Sequence, residues 1–153
     1  RDFVFFYGTL MAGFDRRRRA GIDGRLTYVG RGFIAASLFD LGLYPAAVPA
    51  TDGRVWGELY ETADAAIVLA ALDEIEGYRP DHPDQSLYLR SRSDVTLPDG
   101  HREAAWVYFY NAPLGQAERI ASLMNSCTRD AARKTAACAA SGDSGALAQP
   151  LRA

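Results

Sequence analysis

The sequence predicts an α+β domain in which a closed or strongly curved β-sheet carries one helix at its side. Strand-like segments recur from residue 3 to residue 110, and one segment, Ala63 to Glu76, has clear helical periodicity. The most apolar strands, Phe3 to Tyr7 and Ala104 to Tyr110, stand at the two ends of that region, as a sheet curving back on itself requires. The long crossovers of a repeating βαβ pattern are absent, which sets a doubly wound fold aside.

Phe3 to Tyr7 reads Phe-Val-Phe-Phe-Tyr, β-branched or aromatic throughout, and suits a strand packed on both faces. Gly8 and Thr9 break the run where the backbone needs freedom. A Gly-bearing turn at a strand end can direct successive N–H groups outward and make an anion site without a cationic side chain. The same pattern also punctuates a plain strand-to-loop junction. Met11 to Arg25, with Arg16 to Arg19 and glycines at Gly21 and Gly24, reads as a surface segment. In a chain of net charge −2 the arginine run is a solvated face or short helix, with phosphate contact as the alternative.

Leu26 to Ala36 and Ser37 to Tyr44 read as two antiparallel strands, the second closing in a turn at Pro45. Arg54 to Thr62 alternates as a strand, with Val55, Gly57, Leu59 and Glu61 on one face and Trp56, Glu58 and Tyr60 on the other. Gly57 inside it marks a bulge or a close backbone approach. In the helix, Ile67, Leu69, Leu72 and Ile75 form the apolar spacing, Thr62 or Asp64 is the cap, and Gly77 is the stop. Tyr78 to Ser86 holds two prolines, two aspartates and His82, a loop beside a helix end where a lid could sit. Leu87 to Leu97 and Arg102 to Tyr110 form a hairpin around Pro98-Asp99-Gly100.

From Ser122 onward the chain is rich in Ala, Ser, Thr, Arg and Gly and has no aromatic residue, so it buries little surface. The expected organisation is one domain over residues 1–121 and an Ala-rich tail over 122–153, mobile or loosely docked. A chain of 153 residues suits one such domain. With 48% hydrophobic and 24% charged residues, the composition gives no electrostatic reason to expect nucleic acid or an acidic membrane, so a small-molecule partner is expected. No apolar run approaches the length of a membrane helix and no secretion signal opens the chain, which makes the cytoplasm the expected compartment. Cys127, Cys138, His82 and His101 lie at no metal-binding spacing, so no metal site is expected. Nothing in the sequence sets an oligomeric state.

Glu76 closes the helix. The helix dipole places partial negative charge there and pushes a carboxyl pKa upward. Burial among Tyr7, Tyr78 and Tyr110 would push the same way and poise Glu76 as a proton shuttle. The plain alternative is an exposed acid on a last turn.

Taken in order, Tyr7-Gly8-Thr9-Leu10, Leu41-Gly42-Leu43-Tyr44-Pro45, Val55-Trp56-Gly57-Glu58-Leu59-Tyr60, Leu72-Asp73-Glu74-Ile75-Glu76-Gly77-Tyr78, Tyr88-Leu89-Arg90 and Ala105-Trp106-Val107-Tyr108-Phe109-Tyr110-Asn111 resemble the motifs of the gamma-glutamylcyclotransferase-like family. The resemblance covers about Phe3 to Ile120 and leaves the tail outside. It implies a small mixed β-barrel flanked by helices. It also implies cyclisation of a γ-glutamyl amine or γ-glutamyl amino acid to 5-oxoproline with release of the amine, with no metal or organic cofactor. Glu76 matches the family's general acid/base, and Tyr7, Gly8, Thr9 and Leu10 match its substrate-binding loop; Tyr110 and Tyr78 are candidate pocket residues. The competing expectation is a non-catalytic module binding a small ligand or a protein through the same pocket.

Overall fold

A computed structural model of the chain describes residues 1–8, 11, 15–42 and 45–120. Thr9, Leu10, Leu43, Tyr44 and the tail over 122–153 lie outside the described residues. In chain order the elements are β1 (Asp2–Phe6), α1 (Arg16–Arg19), β2 (Thr27–Asp40), β3 (Pro45–Thr62), α2 (Ala65–Glu76), β4 (Tyr88–Thr96), β5 (Arg102–Tyr110) and β6 (Glu118–Ile120), with 3-10 turns at Asp23–Arg25 and Pro83–Gln85.

Among the described residues the strands run β3-β1-β5-β4-β2, and β2 returns to β3, closing a five-stranded barrel with β6 added outside on β2. β1 lies parallel to β5 and antiparallel to β3. The other pairings are antiparallel, so the barrel is mixed, and α2 packs on its outer face.

Period-2 alternation in β1 explains why the strand is apolar on both faces. Phe5, with Tyr7 just beyond the strand, enters the barrel interior with Ile34, Val55, Leu59, Val95 and Val107. Val4 and Phe6 face outward and are covered by Val68, Leu69 and Leu72 of α2. Fully burying each Phe contributes roughly 1.5–3 kcal/mol. Of the face expected to hold Val55, Gly57, Leu59 and Glu61, the first three are buried and Glu61 is half-buried. A Cβ at Gly57 would overlap the Phe6 carbonyl oxygen and meet Cζ of Phe5 at 2.6 Å, so this glycine lets β1 lie close against β3.

Four expectations from sequence are corrected. Leu26 to Tyr44 does not split into two strands; β2 is continuous from Thr27 to Asp40, with a register shift at Ala35/Ala36 absorbing the irregularity. Its partner β3 begins at Pro45, well before Arg54, because Ala46 and Ala47 are buried and Pro45 occupies a first-residue position where no ladder donor is lost. The helix starts at Ala65 rather than Ala63, with Asp64 at the N-cap as one of the two expected caps; Thr62, the other, still belongs to β3, and its Oγ1 accepts the Asp64 N–H at 3.1 Å. Ile67 is 52% exposed, and Val68 takes the core position instead. The short strand β6 has no sequence signal strong enough to announce it.

The arginine run does form a helical turn, yet Arg17 is buried. Its guanidinium lies 4.4 Å from the Tyr60 ring centroid and 5.6 Å from that of Phe6, with Nε 3.4 Å from Asp23. Stacking on two aromatic faces thus seats α1 on the barrel.

Candidate active site

The C-terminal end of β1 and the C-terminal end of α2 meet at one cavity of about 100 Å³. Strand β1 and its turn bring Phe5, Phe6, Tyr7 and Gly8 to it, α2 brings Ile75 and Glu76, and β4 and β5 bring Tyr88 and Tyr108. Arg16, Pro45 and Leu87 complete its lining among the described residues.

Each side of the cavity is held in place by identifiable interactions. The Tyr7 hydroxyl donates to the Tyr108 carbonyl at 2.6 Å and accepts the Ala47 N–H at 3.4 Å, tying the end of β1 to β5 and β3. Burial pushes the Tyr7 phenol well above its ordinary pKa, with the charges of Tyr88 and Glu76 acting the same way, so it stays a neutral donor. Gly8 passes against Pro45, where a Cβ would stand 3.3 Å from the ring Cγ, and its carbonyl accepts the Met11 N–H at 3.0 Å.

Gly77, at φ 67°, ends α2 in a left-handed cap: its N–H donates to Glu74 O and the Tyr78 N–H to Asp73 O. One turn before Glu76, Asp73 accepts the Tyr108 hydroxyl at 2.6 Å and pairs with Arg90 at 2.8 Å. Arg90 in turn lies over the rings of Trp106 and Tyr78 at 5.2 and 5.3 Å. Asp73 is therefore a tether between α2 and the barrel. Burial and the bond to Asp73 drive the Tyr108 phenol well above its usual range, so it too remains protonated.

Burial raises the Glu76 carboxyl from 4.5 to about 7, opposed by the positive charge of Arg16. No basic residue in the last turn of α2 offsets the helix dipole. A carboxyl poised near neutrality can accept and return a proton at physiological pH. The small volume, aromatic walls and one poised acid suit an amino-acid-sized head group whose remainder extends outside.

Of the residues expected from sequence, Glu76, Tyr7 and Gly8 line the cavity together. Thr9 and Leu10 lie outside the described residues. Tyr110 and Tyr78 stand behind the wall: the Tyr110 ring packs edge-on to Tyr88 at 5.4 Å, and Tyr78 packs beneath Arg90. Tyr88 and Tyr110 face each other across the ladder, and of the two it is Tyr88 that lines the cavity. Tyr88, Tyr108 and Arg16 were not singled out by sequence; the aromatic pattern of β4 and β5 signals the first two, and nothing local distinguishes Arg16 from its neighbours.

The loop Tyr78 to Ser86 is held down. The Ser86 hydroxyl accepts the Arg79 N–H at 2.7 Å and donates toward Arg79 O and His82 O. Asn111 donates to the carbonyls of Pro83 and Ser86. Such a loop is pinned at its base, unlike a free lid. Among the described residues no group of three or more His, Cys, Asp or Glu is placed to hold a metal ion, and no helix is long and apolar enough to cross a membrane.

No curated protein sequence matches the chain. Solved structures resemble it over most of its length. An AIG2-like protein from Mus musculus is 22% identical, with a TM-score of 0.62 over 84% of this chain and 92% of that one. Protein ytfP from Escherichia coli is 27% identical, with a TM-score of 0.54 over 84% and 98% of the two chains. Protein PH0828 from Pyrococcus horikoshii is 21% identical, with a TM-score of 0.55 over 80% and 87%. The family described as Gamma-glutamyl cyclotransferase, AIG2-like matches residues 4–126, from the first barrel strand past the last, and the chain belongs to that family.

Proposed function

We propose that the protein is a cyclotransferase that converts a γ-glutamyl amine or γ-glutamyl amino acid to 5-oxoproline and the free amine, with Glu76 as the general acid/base. The observation that carries this reading is the meeting of Glu76, its pKa raised to about 7, with the Tyr7–Gly8 turn in one cavity. The α-amine of the glutamyl group attacks its own γ-carbonyl carbon. Glu76 takes the proton that the amine loses as the ring C–N bond forms, then delivers it to the leaving nitrogen as the original amide C–N bond breaks. Atoms and charge balance with neither water nor an oxidant consumed.

A proton shuttle of this kind contributes about 10²–10⁴ in rate. Because the attack is intramolecular, a cavity that holds the glutamyl chain folded contributes much of the remainder. Backbone N–H groups of the turn after β1 stabilise the charge that develops on the γ-carbonyl oxygen. Tyr7 and Tyr108 wall the site as neutral phenols beside Tyr88, and Tyr110 and Tyr78 support that wall from behind. The substrate amine lies toward the open side.

The test is incubation with γ-glutamyl-ε-lysine, γ-glutamyl-alanine and glutathione, following 5-oxoproline and the free amine. Equimolar appearance of both from at least one compound is the expected result; release of glutamate in place of 5-oxoproline would make the protein a hydrolase and overturn the reading.

A further inference from the structure

The solvent face of α2 is apolar. At about 100° per residue, Ala63, Ala66, Ile67, Ala70, Ala71 and Glu74 fall within one arc of about 140°, and Glu74 is the only charged side chain among them. The opposite side packs Val68, Leu69 and Leu72 on the barrel. A helix that is apolar on both sides has the pattern of a buried one. The exposed apolar surface continues past the start of α2. Arg25 pairs there with Asp64 at 2.7 Å, and Tyr28, 53% exposed, lies with its ring 5.4 Å from that of Tyr60, a member of the cluster under α2.

The charges along α2 are distributed against its dipole. Its first turn holds no acid, and Asp64 makes no side-chain cap bond because its carboxylate is turned to Arg25. Its last turn holds Asp73, Glu74 and Glu76 and no base. Asp73 is tied to Arg90 and Tyr108, and Glu76 lines the cavity. The exposed Glu74 carboxylate has no ion pair or hydrogen bond among the described residues. A free acid at the C-terminus and none at the N-terminus both run against the macrodipole. A second α2 laid antiparallel corrects both ends at once, since each Glu74 then meets the N-terminus of the other helix and its Arg25.

We propose that the exposed face of α2 is the interface of a two-fold homodimer in which the α2 helices of two copies pack antiparallel. With the axis between Ile67 and Ala70, Ile67 of each copy stands opposite Ala70 of the other, Ala66 opposite Ala71, and Glu74 opposite Ala63. A large side chain thus meets a small one, and the contact is the same in both directions, as two-fold symmetry requires. Glu74 reaches the first-turn N–H groups of the other helix, where its charge is stabilising. Glu76 projects from the opposite side of α2, so the cavity stays outside the interface and the dimer is independent of the reaction proposed above. A 12-residue helix and the Tyr28 ring offer less than the roughly 800 Å² per partner of a standard interface, so association in the micromolar range is expected.

Sedimentation velocity on the full chain from about 1 to 500 μM tests the interface, with a monomer–dimer equilibrium as the expected result. Ala70→Arg puts a good helix former at an exposed position, so the monomer keeps its melting temperature, while an unpaired charge at the centre of the contact weakens the dimer at least about a hundredfold. Glu74→Lys separates the interface from a role in the monomer alone. Replacing the acid by a base in the last turn raises the melting temperature of the monomer, yet weakens the dimer about threefold to thirtyfold, because two charge contacts are lost per dimer. A photo-crosslinking side chain in place of Ala63 captures α2 of a second copy. A monomer at every concentration, a dimer indifferent to Ala70→Arg, a dimer tightened by Glu74→Lys, or capture of residues 121–153 of the same chain by the probe at position 63 would overturn the proposal.

Discussion

The Tyr108 hydroxyl donates a 2.6 Å hydrogen bond to Oδ1 of Asp73, one helical turn before Glu76, so the last turn of α2 is tied to the barrel strand that walls the cavity. Arg90 pairs with the other carboxylate oxygen at 2.8 Å. The position of the proposed acid/base is thus set by a polar network that does not include it.

That network predicts coupling. Tyr108→Phe should cost about 1–2 kcal/mol by urea unfolding, since it leaves a partly buried carboxylate short of one donor. Asp73→Asn should cost a similar amount, and the double variant less than the sum by about 1 kcal/mol. Strict additivity would show that the bond does not act as drawn.

Glu76 should cost the fold stability that it gives to function. Its folded pKa is raised from 4.5 to about 7, so the folded state binds the proton more tightly than the unfolded chain does. The stabilising effect is full below about pH 4.5 and is lost as pH rises to 7. Glu76→Gln should therefore be more stable than the unmodified protein at pH 8, by at most about 3 kcal/mol at 1.36 kcal/mol per pKa unit, with the gap closing toward pH 4. Thermal melts at the two pH values check the sign.

Tyr7→Phe keeps the packing but removes the donor to the Tyr108 carbonyl. It should cost roughly 1–3 kcal/mol. It should also lower kcat/KM, because the turn after β1 loses its tie to β5; an unchanged kcat/KM with lowered stability would confine Tyr7 to the fold.

Gly57→Ala should be among the most damaging single-methyl additions. The new Cβ meets the Phe6 carbonyl oxygen, which is backbone and cannot rotate away. About 3 kcal/mol or more of destabilisation is expected in urea unfolding.

What was legible in the sequence is what local physics determines. β1 announces itself by apolar residues on both faces, α2 by its period and Gly77, and the β4–β5 hairpin by Pro98-Asp99-Gly100. Glu76 follows from its place at the helix end. The extent of β2 and β3 was not legible, because polar Thr51-Asp52-Gly53 looks like a loop and the ladder indeed skips it, pairing Arg54 with Ala35 and Pro49 with Ala36. Tyr88 and Tyr110 share a face as cross-strand partners, and nothing local in the sequence says which of them the cavity takes. Arg16 and Arg17 are chemically identical in sequence, and only the placement of α1 against Phe6 and Tyr60 sends one into the core and the other to the cavity.

The role of Glu76 is tested most directly by comparing 5-oxoproline release from γ-glutamyl-alanine and γ-glutamyl-ε-lysine by the unmodified protein and by Glu76→Gln across about pH 5 to 9. Turnover with a limb near pH 7 is expected, with a loss of about 10²–10⁴ in kcat for the Gln form at unchanged fold. Comparable turnover by Glu76→Gln would contradict it, because the proton would then travel by another route.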